Sequence, residues 1–190
     1  MEYILIIIGA VFINNIVFAQ FLGVCPFLGV SNKMSTAIGM GGAVLFVITL
    51  ATIITFLVQT YILDPLGLGY LQTIAFILLI ATLVQVIEVI LKKVSSTLYQ
   101  ALGVFLPLMS TNCAILGVAI LVVQSNLNLL QATTLAVGTG LSFVFAIVVF
   151  TGIREQLELV GVPKGMRGVP IALVTAGILA LAFMGFAGLV

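Results

Sequence analysis

Charged residues are so sparse in this 190-residue chain that they divide it into apolar runs long enough to cross a membrane. Thirty uncharged residues separate Glu2 from Lys33, another thirty separate Lys33 from Asp64, and 23 separate Asp64 from Glu88. Lys93 to Arg154 encloses 60 more, and 23 follow Arg167. With 63% hydrophobic and 6% charged residues, and neither His nor Trp, the chain cannot cover a soluble core with polar surface. An integral membrane protein follows. The six basic residues are scattered and form no nucleic-acid-binding stripe.

A span needs about 20 apolar residues. Polar breaks at Asp64-Pro65-Leu66-Gly67 and Gln124-Ser125-Asn126-Leu127-Asn128 complete the punctuation, and the pattern predicts an all-α fold of six transmembrane helices, over 3–31, 35–62, 70–92, 97–123, 130–153 and 169–189. The amino end lacks the positive segment of a signal peptide, so the first helix is expected to stay in the mature chain. Lys33 falls in the first loop, Lys92 and Lys93 in the third, and Arg154, Lys164 and Arg167 in the fifth. All six lie on one side of the predicted topology, so the positive-inside rule puts both termini outside the cytoplasm.

Three helices per half is an odd number, so two related halves must enter the membrane from opposite sides. The relation shows in Phe21-Leu22-Gly23-Val24-Cys25-Pro26-Phe27-Leu28-Gly29-Val30 and its shorter echo, Thr111-Asn112-Cys113-Ala114-Ile115-Leu116-Gly117-Val118. Both contain Cys-x-x-Leu-Gly-Val, and Cys25 and Cys113 are the only cysteines. The expectation is one membrane domain, 1–190, made of inverted repeats over about 1–95 and 96–190.

Each cysteine stands beside helix breakers. A continuous helix from Tyr3 to Lys33 would run about 45 Å, against a hydrocarbon core of about 30 Å. Gly23, Pro26 and Gly29 mark where it should break, because Pro26 has no N–H to donate and disfavours helix at Cys25. Pro107 unsettles the fourth segment, and Ser110-Thr111-Asn112 can cap a new start before Cys113. Helices 1 and 4 are thus expected to break near the midplane, with each cysteine at the amino end of a half-helix and Pro26 at its first position.

Two thiolates make half of a tetrahedral sulfur site, suited to zinc or iron–sulfur chemistry, and with no His the remaining ligands must come from a second subunit. Packing cysteines and a disulfide are the alternatives. Glu88 and Lys92 read as an interfacial i,i+4 pair rather than an ion relay, with Gln85 on the same face. Arg154, Glu155 and Glu158 read as solvated residues at the end of helix five. Asn14, Asn15 and Asn112 fit interhelical hydrogen bonding as well as cation coordination. Gly39-x-x-x-Ala43 and Gly138-x-x-x-Ser142 are small-residue matches for close helix packing. Nothing resembles a nucleotide-binding loop, so nicotinamide or flavin chemistry would sit in partners.

These cysteine motifs, together with Asn14-Asn15-Ile16-Val17, Ile153-Arg154-Glu155 and the ending Ala182-Phe183-Met184-Gly185-Phe186-Ala187-Gly188-Leu189-Val190, resemble the RnfA/NqrE family almost end to end. Pro26 and the Asn14-Asn15 pair are more similar to the Rnf members than to those of the sodium-pumping quinone reductase. The resemblance implies a membrane subunit of an ion-translocating ferredoxin:NAD+ oxidoreductase in a bacterial or archaeal cytoplasmic membrane, with no independent catalytic activity. It implies that Cys25 and Cys113 ligate a [2Fe–2S] cluster shared with the homologous subunit RnfE in the opposite orientation. It further implies that Rnf subunits B, C, D and G hold the flavins and other clusters, and that electron relay is coupled to Na+ or H+ movement. A secondary transporter with structural cysteines and a purely structural anchor are the competing readings.

Overall fold

The computed structural model describes residues 2–31, 33–67, 69–94, 110–125, 127–163 and 165–185. Among them the chain is helical. The helices are α1 (Glu2–Ile8), α2 (Val24–Val30), α3 (Met34–Val58), α4 (Gln72–Val94), α5 (Cys113–Gln124), α6 (Leu129–Val160) and α7 (Val169–Met184). A π-helical turn, Gly9–Ile13, extends α1, while a second, Gln59–Leu63, and a last α-turn, Asp64–Leu66, carry α3 on. Three segments, Met34–Leu66, Gly69–Ile90 and Leu129–Val160, are long and apolar enough to span a bilayer, and Tyr3–Ile13, Cys113–Gln124 and Val169–Met184 are shorter apolar helices. Pro107, Lys164, most of the predicted amino-terminal part of the fourth helix and the final five residues lie outside the described residues.

The first predicted helix is interrupted, and the break opens earlier than Gly23-Val24-Cys25-Pro26 implied: residues 14–23 are non-helical. The cause is Asn15, which is fully buried. Its Nδ2 donates to Val11 O (3.2 Å), and its Oδ1 accepts from the N–H groups of Val17 (3.1 Å) and Phe18 (3.3 Å). One amide side chain thereby satisfies one backbone group ahead of the break and two within it, which an apolar surrounding would otherwise leave unpaired. Phe21 (φ +54°) and Gly23 (φ +81°) then turn the chain in left-handed geometry, and α2 starts at Val24. Pro26 therefore occupies the third helical position rather than the first, still within the turn whose N–H groups need no intrahelical acceptor.

Asp64-Pro65 does not break the second helix but forms its last turn, which Gly67 (φ +64°) closes by donating its N–H to Asp64 O (3.3 Å). α6 runs through Val160, past the predicted end at 153.

The core forms where α3 and α6 cross antiparallel. Met40, Val44 and Ile48 of α3 and Phe143, Ile147 and Phe150 of α6 are all buried in one apolar cluster. A Cβ at Gly41 would stand 3.2 Å from Val144 Cγ2, and one at Gly140 would stand 3.1 Å from Leu45 Cα. These contacts are reciprocal: Gly41 and Gly140 are 99 positions apart, as are Leu45 and Val144, and each glycine receives the partner of the other. Ile48 and Ile147, and Thr52 and Thr151, keep the same spacing. Both threonines are buried and donate one turn back, to Ile48 O (2.8 Å) and Ile147 O (2.7 Å). Of the two small-residue matches, Gly138 is buried and packs on Ile7 and Ala10, whereas Gly39 is exposed with nothing within 4 Å; the close α3–α6 contact is made two positions on, at buried Gly41 and Gly140.

Candidate functional site at the two helix breaks

The two cysteine motifs, remote in sequence, meet in space. The Gly23 N–H donates to Cys113 Sγ at 2.9 Å. Gly23 is the residue before α2, two positions ahead of Cys25, so the start of one short helix touches the sulfur at the start of the other. A Cβ on Gly23 would lie 2.9 Å from Phe143 Cε2 and 3.2 Å from Ala114 Cβ, and one on Gly117 would lie 2.6 Å from Leu22 Cδ1. Each break therefore seats against a glycine or alanine of the other motif.

Cys113 is the first residue of α5 and is half-buried; Cys25 is the second residue of α2 and is exposed. Both are free thiols. Each thus stands at the amino end of a short helix; the predicted break ahead of Cys113, at Pro107, lies outside the described residues. Asn112 caps α5 by accepting from Ala114 N–H at 3.0 Å. Asn112 is buried, and its Nδ2 has no partner among the described residues. Among the described residues neither Asn15 nor Asn112 bonds to a distant helix; Asn15 and the Oδ1 of Asn112 pair with the local backbone, because a chain that breaks inside a membrane must satisfy its own N–H and C=O groups first. Asn14 instead lines a cavity of about 340 Å³ with Gly9, Gln20, Val118 and Thr139.

Aromatic packing fixes α2. Phe27 stacks on Phe150 of α6 with centroids 4.2 Å apart, and Phe18 meets Phe27 edge-on at 5.8 Å and stacks on Phe183 of α7 at 4.8 Å.

The sequence reading missed the roles of Arg154 and Glu155. They are not merely solvated. Arg154 Nη1 donates to Leu28 O (3.1 Å) and to Ser31 Oγ (2.8 Å), and Glu155 Oε1 accepts from Met34 N–H (3.0 Å). The signal that could have found them is the 99-residue repeat between α3 and α6, which places Thr55 and Phe56 where the second copy carries this charged pair. Glu158 is exposed. Glu88 is half-buried one turn before Lys92, and Gln85 is exposed.

Among the described residues no three of His, Cys, Asp and Glu gather as metal ligands. The donor set nevertheless fits half of a four-thiolate site: the motifs of two free thiols come together, one sulfur already serves as a hydrogen-bond acceptor, and the other is exposed toward whatever lies outside the chain.

A family model described as Rnf-Nqr subunit, membrane protein, matches residues 3–190. The A component of the Na(+)-translocating ferredoxin:NAD(+) oxidoreductase complex of Acetobacterium woodii is 59% identical over 189 residues, covering 100% of this chain and 98% of the relative. The A component of the ion-translocating oxidoreductase complex of Syntrophotalea carbinolica is 57% identical over 187 residues, covering 98% and 97%. The equivalent component from Vibrio cholerae is 50% identical over 189 residues, covering 100% and 98%.

Proposed function

This chain belongs to the Rnf-Nqr family of membrane subunits, and on that premise we propose that it is an electron-relay subunit of an ion-translocating ferredoxin:NAD+ oxidoreductase complex. In this reading Cys25 and Cys113 supply two thiolates to a [2Fe–2S] cluster, and a homologous subunit of opposite orientation, RnfE, supplies the other two. Such a cluster, when bound, accepts and releases one electron at a time. Subunits B, C, D and G hold the remaining redox groups. The observation that carries the reading is the Gly23 N–H to Cys113 Sγ contact, which joins two motifs 88 positions apart at their sulfur-bearing ends.

The residues of this chain bind, orient and insulate. Cys113 is held by the first turn of α5, where Asn112 fixes the helix start and the Gly23 N–H stabilises negative charge on sulfur. Phe27, Phe143 and Phe150 keep water from the inner side of the break. Cys25 faces outward, as a ligand shared across a subunit interface must.

The inverted repeat belongs to the same proposal. The reciprocal contacts of Gly41 with Val144 and Gly140 with Leu45 are those of a pseudo-two-fold axis perpendicular to antiparallel helices, and that axis lies in the plane of a membrane the helices cross. The full arrangement is six spans in two three-helix halves, with both termini on the non-cytoplasmic side of the inner membrane. Coupling to Na+ or H+ rests on relative movement of α2 and α5, the two short helices that carry the thiols.

Membrane vesicles holding the whole complex test the relay. Cys25→Ala should leave the complex assembled while ferredoxin-dependent NAD+ reduction and ion uptake fall together to background. Full electron flux and ion uptake in an assembled Cys25→Ala complex would refute the reading and leave the cysteines as packing residues of a transporter or an anchor.

A further inference from the structure

We infer that Arg154 and Glu155 are positioning residues for Cys25, an inference that rests on the relay reading above. α2 is only seven residues long, and Leu28 lies one turn beyond Cys25, about 4.5 Å along the axis. Whatever holds Leu28 therefore holds Cys25. Leu28 O is in the last turn of α2, where carbonyls lack intrahelical partners, and it accepts from Arg154 Nη1 at 3.1 Å. The same nitrogen donates to Ser31 Oγ, the C-cap, at 2.8 Å. A guanidinium at a helix C-terminus also meets the negative end of the peptide dipoles.

Glu155 takes the other side of the bend. Its Oε1 accepts from the N–H of Met34, the first residue of α3 and another group with no intrahelical acceptor. Two adjacent residues of α6, six and five positions before its last residue Val160, thus hold Ser31 on one side of the bend and Met34 on the other. Phe27, stacked on Phe150 of the same α6, adds a third hold one turn toward the thiol.

The opposite half-helix is held differently. The α3 residues that correspond to Arg154 and Glu155 are Thr55 and Phe56. Thr55 Oγ1 donates within its own helix, to Ala51 O (2.7 Å) and Thr52 O (3.2 Å), and a phenyl ring has no hydrogen bond to offer. Ser125, the C-cap of α5, likewise bonds its own helix, at Leu121 O (2.8 Å). Among the described residues this clasp is therefore specific to α2, the short helix that carries Cys25.

The test uses the whole complex, prepared anaerobically, with iron release to an added chelator and the EPR spectrum of the reduced sample as readouts. Arg154→Ala should lose iron about tenfold faster than wild type and show a broadened spectrum. Arg154→Lys keeps a charged donor and should restore both, Glu155→Gln keeps the acceptor and should stay near wild type, and Ser125→Ala should be silent. If Arg154→Ala does not assemble, Ser31→Ala removes one acceptor of Arg154 and the Ser31 Oγ donation to Leu28 O (3.5 Å), leaves the Arg154 bond to Leu28 O in place, and should show a smaller acceleration of the same kind. Wild-type release and spectrum in the assembled Arg154→Ala complex, or in Ser31→Ala where that replaces it, would overturn the inference and leave the relay intact. A wild-type complex whose iron content and spectrum equal those of an assembled Cys113→Ala complex would overturn the relay reading itself.

Discussion

The Gly23 N–H donates to Cys113 Sγ across 2.9 Å, so the backbone that turns the chain into one half-helix stabilises the sulfur at the start of the other. The contact exists because Gly23 adopts φ +81°, a conformation that side chains resist, and because nothing stands between its Cα and the Phe143 ring. Gly23→Ala is expected to combine about 1 kcal/mol of left-handed strain with a 2.9 Å collision against Phe143 Cε2. The variant should melt several degrees lower in detergent and retain less iron when co-purified with its partner, measured by thermal unfolding and metal analysis.

Asn15 performs the work of several backbone partners at once. Asn15→Ala removes three hydrogen bonds inside a buried break, and at roughly 1 kcal/mol each the expected loss is about 3 kcal/mol. Asn15→Asp keeps the acceptor for Val17 and Phe18 but loses the donor to Val11 O, and it should be no better. Stability of the purified chain in detergent, followed by its melting midpoint, decides this: a midpoint within a degree of wild type for Asn15→Ala would contradict the role.

The glycines at close contacts should not be equally sensitive. A Cβ at Gly117 meets only the end of the Leu22 side chain, which can rotate away, whereas a Cβ at Gly140 meets Leu45 at its Cα, which cannot. Gly117→Ala should therefore cost little, and Gly140→Ala should separate α3 from α6 and lower stability by about 1–3 kcal/mol. Equal effects of the two substitutions would be against this packing account.

Phe27 links the Cys25 half-helix to α6 through its 4.2 Å stack on Phe150. Phe27→Ala opens a void at a residue only 1% exposed, and about 3 kcal/mol is the expected loss. Phe27→Leu should recover much of that stability. Melting curves of the two variants, side by side, check the order.

Much of this arrangement was legible from the residues, for reasons that differ by feature. The runs between Lys33, Asp64 and Glu88 located the long helices because a charge is costly in hydrocarbon wherever it falls. Matching motifs around Cys25 and Cys113 singled out the two segments that meet at the Gly23–Cys113 contact, because helix breakers within an apolar run have few structural uses. Asn15 as the pivot of the break was not legible: an amide can bond to the local backbone or to another helix, and only the folded path decides. The clasp by Arg154 and Glu155 was hidden for a related reason, since a charge near a helix end is satisfied by water in most sequences and here finds Leu28 O and Met34 N–H instead. The extension of α3 through Asp64-Pro65 escaped notice because proline in a final helical turn looks, in sequence, like proline that stops the helix.

The central claim is that two thiols of this chain hold half of an iron–sulfur cluster. Iron and acid-labile sulfide, with EPR after reduction, should be measured on this chain co-purified anaerobically with its homologous partner, for wild type and Cys113→Ala. The account predicts two irons and two sulfides per pair with an EPR signal in wild type, all lost in the variant. An intact wild-type pair with no iron, or a Cys113→Ala pair that keeps the same iron, sulfide and signal, would contradict it.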